Sequence, residues 1–281
     1  MSSVRPFVWI QHLLPQHALS RLVLRATRVR ARWFKNWLIH GFLKLYAIDM
    51  AEAVQSDPES YGSFNEFFTR ALKPNVRTIA RGDREIACPA DGTISEAGSI
   101  EGDRLLQAKG RHYTLAELLA SRSWARRFED GSFATIYLAP FNYHRVHMPL
   151  QGQLRETVYV PGRLFSVNAA TASVVPRLFA RNERVLTLFD SAFGEFALIM
   201  VGALNVGSIA TVWAGDITPA ARRVVTALPP QNIALDKGAE LGRFNMGSTV
   251  ILLFPKNRAC WHEDLHAGAT VRLGQPLGCL K

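Results

Sequence analysis

From about residue 86 to the C-terminus, apolar residues come in short runs separated by turn residues, the pattern of strands rather than long helices. An Asp91-Gly92 turn leads into a strand through Ile94, Leu115–Leu119 reads as a short helix, and Phe133–Leu138 as a strand. Further strands are predicted over Gln153–Val160 and Arg184–Phe189. The stretch from Phe196 to Gly215 carries no charge and is long enough to raise the question of a membrane span. Gly202, Asn205, Gly207 and Ser208 interrupt it, and its Val, Ile and Thr content favours two buried strands with a bend at Asn205. Last comes the apolar run after Thr249, a buried strand closed by Pro255, which cannot continue a ladder.

Before residue 60 the period changes. Residues 7–48 read as two helices separated near Pro15, and Phe64–Phe68 as another helix. Arg21, Arg25, Arg28, Arg32 and Lys35 recur at helical spacing and define one stripe. Leu19, Leu22, Ala26, Val29, Trp33 and Trp37 define a second, with Arg30 as an exception. The fold class expected is α+β: a β-rich, barrel- or sandwich-like catalytic domain over 61–281 behind an amphipathic helical segment over 1–60.

Charge sharpens that division. The net charge is +10, yet residues 1–48 hold eight Lys/Arg and no acid, so the remainder is close to neutral. A basic amphipathic helix with tryptophans on its apolar side predicts a segment lying in an anionic phospholipid membrane surface. Nucleic acid is not expected, because Trp33, Phe34, Trp37, Leu38, Phe42 and Leu45 suit lipid better. No signal peptide is expected. Cys88, Cys260 and Cys279 are odd in number and lack a CxxC pair, which predicts neither a disulfide framework nor a zinc site.

Candidate chemistry concentrates just before the last long strand. Gly247 precedes Ser248, and in a tight turn the serine hydroxyl can attack the preceding carbonyl and convert the amide to an ester. Elimination and hydrolysis would then leave a pyruvoyl group at the start of a new chain. Gly-Ser also occurs at 62/63, 98/99, 131/132 and 207/208, but only the pair at 247/248 runs into threonine and a continuous apolar strand. His144 and His147 lie three apart at a strand exit and suit either a metal or acid-base work; further ligands are not evident nearby, and no metal is expected. Arg70, Lys73 and Arg77 could hold a phosphate or carboxylate.

FFTRALKP (67–74), PADGTI (89–94), YHRVHMP (143–149), PGRLFSVNAAT (161–171), FARNERV (179–185), VGALNVGSI (201–209) and GRFNMGSTVILLFP (242–255) together resemble the phosphatidylserine decarboxylase family, of the prokaryotic, pyruvoyl-dependent type. The resemblance implies self-cleavage between Gly247 and Ser248 into a large chain (1–247) and a small chain (248–281) that remain a heterodimer, with room for a higher homo-oligomer. It implies that Asp91, His147 and Ser248 drive the cut and that Ser248 becomes the pyruvoyl cofactor. Phosphatidylserine would condense with that ketone as a Schiff base, lose CO2 and be reprotonated with the help of His144, giving phosphatidylethanolamine. Arg70, Lys73 and Arg77 are then candidates for the lipid phosphate. The implied location is peripheral, on the cytoplasmic face of the cell membrane. Met246, Asn142 and Thr78 depart from the family's usual leucine, aspartate and proline.

Two other readings fit parts of the pattern. A lipid-directed serine hydrolase could use Asp91, His147 and Ser248, although no GxSxG elbow is present. A membrane-bound β-barrel binding module would keep an uncut Gly247-Ser248 bond.

Overall fold

The structure, a computed structural model, describes Gln11, residues 14–204, 208–217 and 232–281, and the backbone of 225–227. Strand Ser248–Phe254 lies inside a nine-stranded antiparallel sheet, flanked by Gly194–Val201 on one side and Ser132–Leu138 on the other. Gly92–Ser99 continues the sheet beyond Ser132–Leu138, and Arg184–Ser191 and Gly152–Val160 continue it beyond Gly194–Val201. Every residue of Ser248–Phe254 is buried, which explains why its sequence is an unbroken apolar run rather than an alternation. Phe254 stacks on Phe196, which stacks on Phe189, so large rings fill one end of the core.

A four-stranded sheet holds Gly215–Ile217, Ile209–Thr211, Glu240–Phe244 and Arg145–His147, and a three-stranded one joins Glu85–Ala87, Pro276–Leu280 and Ala259–Trp261. The architecture is β-rich α+β with open sheets, and no barrel closes among the described residues. The uncharged stretch forms strands Gly194–Val201 and Ile209–Thr211, while the bend expected at Asn205 lies outside the described residues. No described helix is long and apolar enough to cross a membrane. Leu115–Leu119 is helical and opens with a capping box between Thr114 and Glu117.

The N-terminal segment differs from its expected form in three ways. A helix does begin at Gln16, directly after Pro15, but it is itself broken, running over Gln16–Thr27 and Arg32–Leu45 with a gap at 28–31; what precedes Pro15 is, apart from Gln11 and Leu14, outside the described residues. The basic stripe is therefore divided between two helices rather than continuous. Lys35 leaves it altogether: its ammonium is buried and donates to the Glu59 carbonyl (2.8 Å) and Asn36 Oδ1 (2.6 Å). The first helix also docks through polar residues, burying Gln16, Ser20 and Thr27. Gln16 Oε1 accepts the Leu164 N–H and Gln11 Oε1 the Ser166 N–H, at 2.9 and 2.8 Å. The second helix packs by Ile39 and Phe42 against Tyr61, Phe64, Phe67 and Phe68. Leu22, Trp33, Trp37 and Leu45 are left 64–77% exposed.

Candidate active site

Strand register brings the separated motifs to one end of the large sheet. Ser248 pairs with Leu138, and Thr93 pairs with Tyr137 on the other side of the same strand. The Asp91 turn, the chain leaving Leu138 and the Gly247-Ser248 bond therefore converge. Gly92 is required here, since a Cβ would stand 2.5 Å from the Tyr137 carbonyl oxygen.

Ser248 is buried, and its Oγ has no hydrogen-bond partner among the described residues. Two residues earlier Met246 holds a φ of 150°, a region costly for a side chain, so the backbone before the Gly247-Ser248 bond is strained. Gly247 is uncrowded: a Cβ would meet only the Leu138 carbonyl oxygen, at 4.0 Å.

After Leu138 the chain turns at Asn142, whose Oδ1 accepts the Ala139 N–H at 2.8 Å. An aspartate would accept that bond equally well, so the amide preserves the turn. Residues 145–147 then form a strand against Glu240–Phe244, and alternation sends the two histidines different ways. His144 is fully buried and stacks on Phe68 with ring centres 4.1 Å apart. Its Nε2 donates to the Pro140 carbonyl (3.2 Å), leaving Nδ1 an unpartnered acceptor. Burial, with the nearby Arg70 cation, lowers its pKa to about 3 despite the Pro140 bond. It is a neutral imidazole at physiological pH.

His147 is fixed from both sides. Nδ1 donates to the Gly238 carbonyl at 2.8 Å, and Nε2 accepts from the Tyr143 hydroxyl at 3.0 Å. Burial again lowers its pKa, against the raising effects of the Gly238 bond and of Glu240 and Asp91. Asp91 makes no hydrogen bond to His147. Its carboxylate takes a two-pronged contact from Arg77 (3.1 and 2.6 Å) and the Leu273 N–H at 2.8 Å. Arg77 also binds Glu52 at 2.7 Å, and the Asp91 and Glu52 bonds raise its pKa against burial.

The three cations proposed for a phosphate part company. Arg77 is committed to Asp91 and Glu52, and Lys73 is exposed. Arg70 is buried, with Nε and Nη1 unpartnered. Sequence reasoning missed Tyr143, Arg145, Gly238 and Arg243; two flank histidines in YHRVH, but nothing local marks the carbonyl of Gly238. Asn245 was also missed. It links Asn65, Ser208 and Asp216, and Asp216 is held in turn by Arg28 from the turn between the two N-terminal helices.

Comparison with known proteins shows the family of the chain. A family model described as phosphatidylserine decarboxylase matches residues 64–279, and one described as PSD matches residues 6–47. The chain is 54% identical to a phosphatidylserine decarboxylase proenzyme of Methylococcus capsulatus, over 97% of this chain and 96% of that one. It is 49% identical to a protein of that name from Saccharophagus degradans, over 98% and 97% of the two chains. For one from Pseudomonas aeruginosa the identity is 52%, over 99% and 98%. With a match across most of its length and the motif residues gathered at one sheet end, the chain is an enzyme of the phosphatidylserine decarboxylase family.

Proposed function

We propose that this protein decarboxylates phosphatidylserine to phosphatidylethanolamine with a pyruvoyl group made from its own Ser248. The observation that carries the reading is the buried, unpartnered Ser248 hydroxyl behind the strained Met246-Gly247 backbone. A hydroxyl with no competing hydrogen bond, two residues beyond the strained Met246 backbone, supports attack on the adjoining Gly247 carbonyl. The Ser248 Oγ adds to the Gly247 carbonyl carbon, and the C–N bond breaks to leave an ester. Loss of the Ser248 α-proton then expels the Gly247 carboxylate. With the Gly247 carboxylate freed in that elimination, water adds to the imine tautomer of the enamine and ammonia leaves, giving residue 248 a ketone. His147 is neutral in its buried site, as a base for the serine proton must be. Reaching Ser248 requires its Nε2 to exchange the Tyr143 hydroxyl, or the proton to pass through that hydroxyl. Asp91, saturated by Arg77, acts on His147 through charge rather than contact.

Once formed, the ketone supplies an electron sink for the carbon that loses CO2. Replacing a carboxylate by hydrogen consumes one proton per turnover. His144 is the candidate for its delivery: the resting ring is neutral, so Nδ1, which has no partner, must take up the proton as substrate binds, and the stack on Phe68 keeps the ring from turning away. Exposed Trp33, Trp37, Leu22 and Leu45, with the surrounding arginines, support peripheral membrane binding and so access to a lipid substrate. The hydrolase alternative is disfavoured because Ser248 opens a buried strand, where a nucleophile elbow leads into a helix.

Mass analysis tests this directly. The small fragment should span residues 248–281, be one ammonia lighter than the serine-started peptide, and resist amine labelling. Ser248→Ala should remain one inactive chain. A fragment beginning with ordinary serine would overturn the mechanism.

A further inference from the structure

A cavity of about 260 Å³ opens where the Phe64–Phe68 helix meets strands Arg145–His147 and Glu240–Phe244, and Arg70, Arg145 and Arg243 line it. Arg145 and Arg243 are direct partners across the two antiparallel strands. Like charges at such positions repel unless something lies between or beside them. Glu240 neutralises Arg145 at 2.7 Å, but the Arg243 side chain has no ion pair or hydrogen bond among the described residues. Arg70 is 5% exposed, with Nε and Nη1 buried and unpartnered, a costly state for a guanidinium. The one acid in the lining, Glu66, is already taken by Arg30 and by the Gly62 N–H. Two of the three cations, Arg70 and Arg243, thus lack an acidic partner among the described residues.

We propose that this cavity is a phosphodiester subsite in which Arg70, Arg145 and Arg243 hold the phosphate of the substrate's head group. The assignment rests on the decarboxylase reading for the identity of the substrate, but the anion site stands on its own geometry. The three cations are close to His144 along the backbone: Arg145 follows it, Arg70 lies two residues beyond the Phe68 ring stacked on it, and Arg243 precedes Phe244, whose N–H donates to its carbonyl. The Arg70 charge is felt by the His144 ring, which ties the cavity to the residue proposed for the proton delivery. The substrate carboxylate is the poorer occupant. Cations clamped on it would stabilise the ground state and oppose its departure as CO2. Of the earlier candidates, Arg77 and Lys73 play no part.

Two measurements on the processed enzyme test the assignment. Phenylglyoxal labelling of Arg243, followed by peptide mapping, should be slowed several-fold by glycerophosphoserine and unaffected by serine. Arg243→Gln should raise KM for phosphatidylserine in mixed micelles by roughly tenfold or more, with a smaller change in kcat, and Arg243→Lys should recover part of the loss. Intact mass on the same preparations shows whether each variant was cleaved. If a variant fails to cleave, labelling of the unsubstituted protein decides alone. Equal protection by inorganic phosphate and glycerophosphoserine, with KM unchanged in Arg243→Gln, would mean a free-phosphate site and overturn the head-group assignment. No protection by either anion would remove the site altogether. Absence of CO2 release from the unsubstituted enzyme, with protection intact, would count against the decarboxylase reading and not against the site.

Discussion

At the scale of single residues, the proposed mechanism divides the chemistry between the two histidines by environment. His147→Ala should leave the chain uncut, because no base remains to take the Ser248 proton. His144→Ala should still be cut yet release far less CO2, since its place is beside the substrate. Gels and a radiolabelled CO2 assay on the two variants read both steps, and the reverse pattern would exchange the roles. Burial also makes stability pH-dependent through two groups of opposite sign. His144 titrates near 6.5 when unfolded and about 3 when folded, so the unfolded chain binds the extra proton between those values. Its contribution is full above 6.5 and is lost as pH falls toward 3. Glu183 is the converse: burial lifts its pKa from 4.5 to about 7 despite the Tyr159 bond, so its contribution is full below 4.5 and lost as pH rises to 7. Each contributes a slope of about 1.4 kcal/mol per pH unit within its window. Denaturant midpoints across pH 4–8 should therefore show Glu183→Gln removing a loss of stability on the alkaline side. An unchanged profile would mean that Glu183 is already ionised in the folded chain.

At the scale of elements, the N-terminal helices bury one face in the fold, and the proposed membrane contact falls to the other. Their inner face is part of the fold, through Gln16 on the 164–166 backbone and through Ile39 and Phe42 on the phenylalanine cluster that also touches Met246. Deleting residues 1–48 would uncover that cluster and confuse membrane binding with damage beside the cleavage site. Trp33→Ser with Trp37→Ser is the cleaner change, since both rings are mostly exposed. We expect the double variant to fold and cleave normally but bind anionic vesicles roughly tenfold more weakly or worse, most visibly at high salt, where charge attraction is screened. Undiminished sedimentation with vesicles would place the lipid contact elsewhere.

For the whole molecule, what matters is that the strand opening at Ser248 lies between two neighbours rather than at a sheet edge. Burying Val250, Ile251, Leu252, Leu253 and Phe254 contributes about 10 kcal/mol on ordinary side-chain burial values. Cleavage removes only the connection before Ser248, so the 248–281 piece should stay bound. Native mass analysis of processed enzyme should show one complex, and denaturing analysis two chains; spontaneous release in dilute native buffer would contradict the strand's central place.

Much of this was legible in the linear order of residues. The buried strand, the helices at Phe64–Phe68 and Leu115–Leu119, and the uncharged stretch as strands follow from local period and turn chemistry, whereas the roles expected of Asp91, His144, His147 and Ser248 come from the family resemblance. Those signals act over a few residues, and the chain carries them wherever it folds. Partnership is different. That Arg77 belongs to Asp91, that Gly238 and Tyr143 hold His147, that Lys35 is buried and that Arg243 stands opposite Arg145 depend on strand register and on segments up to about a hundred residues apart. A charged side chain looks the same in sequence whether water, an acid or an empty cavity awaits it. Only tertiary packing decides which, because desolvation is a property of the place and not of the residue.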